Sequence, residues 1–175
     1  MRNERTTTYF VTRTGALLAA TVILQGLRLV IPVPPPVSMF VIGSLVNACL
    51  TLAVLAIGWQ AGLVIACVTP VFAWLEGMLP FLPFVLPVAA GNAVYTGLIG
   101  MLHRWRLPGI CGAALGKAAM LYGSFYVLFG CLAFPAAVRQ TILFVMSWPQ
   151  VVTGIVGGTL GYIVWKRICR QEDSK

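Results

Sequence analysis

Six long apolar runs account for most of the chain, at about residues 14–31, 38–58, 61–79, 84–102, 109–134 and 141–165. A helix needs about 20 mostly apolar residues to cross the hydrocarbon core of a bilayer, and each run is near that length. Lipid supplies no hydrogen-bond partners, so a run placed there must pair its own backbone as a helix. The pattern predicts an all-α membrane protein, a compact bundle of six transmembrane helices over residues 14–165. Polar segments at 1–13 and 166–175 flank it, the first expected to be short and mobile or interfacial. The breaks between runs are sharp. Pro32, Pro34, Pro35 and Pro36 form a stiff, apolar first connector, because a proline run favours extended geometry over helix. Gly58-Trp59-Gln60 makes a tight turn, Pro80 and Pro83 stiffen the third connector, and Leu107-Pro108-Gly109 opens the fifth helix. Pro70 sits inside the third run, where a missing N–H predicts a kink.

Composition sharpens this picture. Of 175 residues, 59% are hydrophobic and 9% charged, against roughly 25% charged in a soluble domain. The net charge of +8 is distributed as a topology signal rather than as a nucleic-acid patch. Arg2, Arg5 and Arg13 precede the first run. His103, Arg104 and Arg106 lie between runs four and five, and Lys166, Arg167, Arg170 and Lys175 follow run six. Cytoplasmic loops are enriched in Lys and Arg, so both termini and the 103–108 loop are expected inside. The connectors near 32–37, 80–83 and 135–140 are then outside. Run one is read as a retained helix, because Gln25, Arg28 and prolines follow it with no small-x-small cleavage site. The five cysteines form no CxxC pair, and neither a disulfide framework nor a metal site is expected.

Candidate chemistry is sparse and gathered toward one face. Ionisable residues in membrane helices are rare and face the interior or water. The outer half of the predicted bundle holds Arg28, Glu76, Asn92, Arg139, Gln140, Trp148 and Gln150, whereas the inner half has mainly Lys117. Each has a structural reading beside a functional one. Asn92 follows Gly91, which leaves room for a ligand or for a neighbouring helix. Trp148 is an interfacial anchor or a stacking surface for a flat ring, and Gln150 can bond a polar edge. Arg28 and Arg139 snorkel to headgroups or meet an anionic group on a solute. Glu76, the one acid between residues 5 and 171, pairs with Arg28 or Arg139 in its structural reading. Lys117 is assigned a structural role, snorkelling inward or bonding carbonyls at a helix end. Small residues spaced by four, Ala16/Ala20, Gly112/Gly116, Gly154/Gly158 and Gly157/Gly161, let helices approach closely, within the bundle or against another membrane protein. A single histidine, no carboxylate pair and no phosphate-binding loop leave nothing to support an enzyme or a bound cofactor.

Four motifs carry a resemblance. They are Thr14-Gly15-Ala16-Leu17-Leu18-Ala19-Ala20 in run one, Ile42-Gly43-Ser44-Leu45-Val46-Asn47-Ala48 in run two, Thr69-Pro70 in run three, and Gly91-Asn92-Ala93 in run four after a proline-rich connector. In this order, over about residues 12–165, the chain resembles the substrate-binding S components of energy-coupling factor (ECF) transporters. The resemblance implies a vitamin or related micronutrient bound near the outer face. It implies partners too: a transmembrane coupling subunit, contacted through Ala16 and Ala20, and two cytoplasmic ATPases. It makes Asn92, Tyr95, Tyr126, Trp148 and Gln150 pocket candidates, with Pro34 to Val37 as part of a lid. Arg28, Glu76 and Arg139 complete the expected substrate-binding set, and an anion-pairing Arg28 or Arg139 would admit a carboxylate-bearing solute such as pantothenate, folate or biotin. The expected setting is the cell membrane of a prokaryote. A rival reading is a self-sufficient secondary transporter or small exporter, which needs an ionisable residue near the midplane, a place only Lys117 can fill.

Overall fold

The computed structural model describes residues 2–30 and 34–172, and among these it contains helices and no strand. The α-helices are α1 (Arg2–Val30), α2 (Pro35–Ala56), α3 (Trp59–Leu75), α4 (Val85–Leu102), α5 (Leu107–Cys131), α6 (Ala136–Val145) and α7 (Trp148–Glu172). Five helical stretches are long and apolar enough to cross a membrane: Thr7–Val30, Val37–Ala56, Leu82–Trp105, Leu107–Cys131 and Ala136–Gln171. The remaining apolar helix, α3, has 17 residues, about 26 Å at helical rise. Large apolar side chains such as Ile23, Leu29, Leu86, Met101 and Val127 are exposed, as a bundle embedded in lipid requires. The chain is a helical membrane protein.

Three predicted boundaries move, each for a local reason. Helix α1 runs back to Arg2 through the segment expected to be mobile, and Arg13 lies over the ring of Tyr9, 4.1 Å from its centroid, one turn away. Helix α2 begins at Pro35, inside the expected proline connector. Proline loses nothing in a first turn, where its N–H would have no partner, and its fixed φ already suits the helix. Pro32 lies outside the described residues. The sixth run is two helices rather than one. Pro149 has no N–H to give Val145 O four residues back, so α6 stops at Val145 and α7 restarts with Pro149 in its first turn. The Gln150 side-chain amide donates to that Val145 carbonyl at 3.4 Å. Helix α7 then continues into the expected C-terminal tail as far as Glu172.

Turns at both ends of α3 are set by glycine. Gly58, at φ 138°, caps its start, and Gly77, at φ 72°, follows its end. There Met78 N–H donates to Ala73 O and Gly77 N–H to Trp74 O, the pairing of a Schellman cap. Pro70 is accommodated within an unbroken α3.

Glycine also sets helix spacing. The two interleaved motifs of α7 point to different neighbours: a Cβ on Gly157 or Gly161 would strike the Ser44 or Ala48 carbonyl of α2, while one on Gly154 or Gly158 would strike Ala114 or Ile110 of α5. Gly116 similarly sits on Leu98 of α4. These are packing faces. Buried threonines return their hydroxyls to their own helices, Thr21 to Leu17 O, Thr51 to Asn47 O and Thr69 to Ile65 O, which hides a polar group without a partner helix. At one end of the bundle Phe81, Phe84, Phe125, Phe129 and Phe134 form a cluster of edge-to-face and tilted rings with centroids 5.1–6.0 Å apart. The third connector therefore folds down onto α4 and α5 instead of standing off in solvent.

Candidate solute-binding cavity

The end of α1, the start of α2 and the α3/α4 connector lie at one end of the bundle, and a cavity of about 690 Å³ opens there. Pockets for small molecules run to about 300–1,000 Å³. Every helix contributes. Gln25 and Arg28 come from α1, Ser38 to Val46 from α2, and Thr69, Pro70 and Ala73 from α3. Asn92 comes from α4, Lys117 and Leu121 from α5, Phe144 from α6, and Trp148 and Gln150 from α7. The shortness of α3 makes room for it: the Schellman cap turns the chain early and lays Met78 and Leu79 into the wall.

The wall divides into an aromatic side and a polar base. Trp148 stands between Phe40 of α2, 6.0 Å away between centroids, and Phe144 of α6, 5.9 Å away and nearly perpendicular. The break before α7 creates this arrangement, since it brings Phe144 and Trp148, on either side of Met146-Ser147, onto one ring stack. At the base, Lys117 Nζ donates to Asn47 Oδ1 at 2.6 Å and lies 5.5 Å from the Tyr95 ring centroid. Asn47 Nδ2 in turn reaches Thr153 Oγ1 at 3.4 Å. Lys117 is ten residues into α5, about 15 Å along the helix axis, so the cavity reaches near the middle of the bundle. Asn92 is 3% exposed, and among the described residues its side-chain amide makes no hydrogen bond. The Ser38 hydroxyl is likewise buried without a partner.

Four of the eight expected substrate residues are brought together here: Arg28, Asn92, Trp148 and Gln150 all line the cavity. The other four are not in its wall. Tyr95 lies beneath the base, fully buried, its hydroxyl donating to Gly154 O at 2.9 Å and 3.1 Å from Thr51 Oγ1. It braces α4 against α7 and α2. Tyr126 is 62% exposed, because residues 122 and 126 fall on the face of α5 opposite the buried row Ala113, Lys117, Leu121 and Phe125. Arg139 is exposed on α6. Glu76 lies in the α1–α3 seam, where Gln25 Nε2 donates to its Oε2 and to Thr69 O, each at 3.3 Å. Partial burial pushes its carboxyl upward from its ordinary value, opposed by the Gln25 bond and by the charge of Arg28.

The expected lid is also placed differently. Pro34 is the N-cap of α2 and Val37 lies in its first turn; among the described side chains the cavity wall on α2 begins at Ser38. The sequence reading missed Lys117 and Ser38 as wall residues. The spacing 113–117–121–125, which places Lys117 on the apolar face of α5, was the available signal. Ala16 and Ala20 are not in the cavity wall and lie on an exposed face of α1, with nothing within 4 Å of a Cβ built on neighbouring Gly15. Among the described residues no three His, Cys, Asp or Glu side chains gather as a metal site. Comparison with protein-family models, curated proteins and solved structures found no match.

Proposed function

We propose that this chain is the substrate-binding S component of an ECF-type importer in the cytoplasmic membrane of a prokaryote. It crosses the membrane six times, α6 and α7 together forming the last passage, with both termini and the basic 103–106 turn in the cytoplasm. The cavity then opens outward. A small water-soluble vitamin or related micronutrient enters between the aromatic wall and the polar base. The bundle then turns against a coupling subunit driven by two ATPases and releases the solute inside. The observation that carries this reading is the cavity at the end opposite the Lys- and Arg-rich segments, reached independently of the motif resemblance. The exposed Ala16/Ala20 face gives α1 a close-packing surface for the coupling subunit. The test is uptake into proteoliposomes holding this chain with a coupling subunit and its ATPase pair. ATP-dependent accumulation of a vitamin that also raises the melting temperature of the purified chain supports the proposal, and accumulation independent of the partners refutes it.

One observation favours a second reading. Lys117 lies near mid-depth and lines the cavity, which is where a secondary transporter keeps an ionisable group. Uptake by the chain alone, driven by an ion gradient, would select it.

A further inference from the structure

Building on the proposed solute site, we infer that the cavity takes an organic monoanion, its carboxylate held by Lys117 Nζ and its apolar or aromatic body against Phe40, Phe144 and Trp148. An ammonium brings three donors, and Asn47 Oδ1 accepts one of them. The other group close to it is the Tyr95 ring, which is also uncharged. Lys117 is 5% exposed, and a buried amine keeps its proton only when an anion pairs with it, which a carboxylate entering the cavity would do.

The chain has no acid to spare for this. Glu4, Glu172 and Asp173 lie near the ends of the sequence. Glu76 is bonded by Gln25 and sits in the field of Arg28. Among the described residues no carboxylate bonds Lys117, so the base of the cavity offers an entering acid an amine that has no acidic partner. Two further polar groups in the wall, the Asn92 amide and the Ser38 hydroxyl, have no side-chain hydrogen bond among the described residues, the Ser38 Oγ being fully buried as well, and can donate to a carboxylate or to polar atoms of its body. Arg28, the anion partner expected from sequence, lines the wall in the field of Glu76, and Arg139 does not reach the wall.

The experiment titrates the purified full-length chain with matched pairs sharing a body and differing in charge: biotin and biotinamide, pantothenate and pantothenol, nicotinate and nicotinamide, 2-naphthoate and 2-naphthamide. For at least one pair the acid should bind on the order of tenfold to a hundredfold more tightly than its neutral partner. Lys117→Met should erase that ratio. Lys117→Gln, whose amide can still donate to Asn47 Oδ1, should erase it as well, so a folding defect in one variant does not decide the outcome. No acid preference in any pair overturns the inference, as does a preference that survives both substitutions. A neutral solute such as riboflavin that binds the parent but not Asn92→Ala would overturn the charge assignment while leaving the solute-site reading in place. Failure of every acid and of riboflavin to bind would overturn both.

Discussion

At the residue scale, the wall of the cavity divides roles among side chains that look alike in the sequence. Asn92 and Trp148 present unbonded or half-exposed groups to the cavity, whereas Tyr126 faces away. Asn92→Ala and Trp148→Ala should each weaken solute binding several-fold, since losing a buried hydrogen bond costs about 1–3 kcal/mol. Tyr126→Ala should leave the dissociation constant unchanged; calorimetry on the three variants checks both statements. Glu76 gives a prediction with a sign in pH. Its carboxyl is raised mainly by partial burial, so the folded state holds the proton more tightly than the unfolded chain. That contribution is present below the ordinary carboxylate range and lost as pH rises through the raised value. Glu76→Gln should therefore melt higher than the parent at pH 7, and the gap should close toward pH 4. A melting series over that range is the check. Residue type alone revealed Arg28, Asn92, Trp148 and Gln150, because polar groups are costly in lipid and stand out. Type alone misplaced Lys117, and the resemblance misplaced Tyr95 and Tyr126, because depth and rotation about the helix axis decide what a side chain meets.

At the element scale, helix existence was legible and helix ends were not. Apolar run length fixes the former through the bilayer. The latter depend on caps that run length ignores: Pro35 in a first turn, the Gly77 Schellman turn, and Pro149 interrupting the sixth run. This last break places Phe144 and Trp148 in the cavity wall, so it is a feature of the site as well as of the fold. The small-residue spacings were legible as motifs, but their directions needed the packing. Gly157→Ala would press a methyl group on the Ser44 carbonyl and Asn47 side chain, and should destabilise the bundle by about 1–3 kcal/mol through overpacking. Gly123→Ala meets nothing within 4 Å and should be neutral or stabilising by up to about 1 kcal/mol through helix propensity. Denaturation of the two variants in the same detergent separates a contact glycine from a free one.

At the scale of the whole molecule, the proposed importer would use two surfaces for separate jobs. The cavity would collect the solute, and the exposed Ala16/Ala20 face of α1 would meet the coupling subunit. Ala16→Trp should abolish association with the coupling subunit and ATP-dependent uptake, while solute affinity stays within about twofold, as expected for sites with no shared contacts. Equal loss of binding and association would place α1 in the solute site instead. Both jobs require the cavity to face outward. Cysteine labelling in intact cells tests this, with Cys49, Cys67, Cys111 and Cys131 replaced by alanine. One version keeps Cys169 near the C-terminus, and the other carries Thr141→Cys at the cavity wall with Cys169 also replaced. A membrane-impermeant maleimide should label the Thr141→Cys protein from outside and reach Cys169 only after the cells are permeabilised. Cys169 labelled in intact cells, with the Thr141→Cys protein protected until permeabilisation, would contradict an outward-facing cavity.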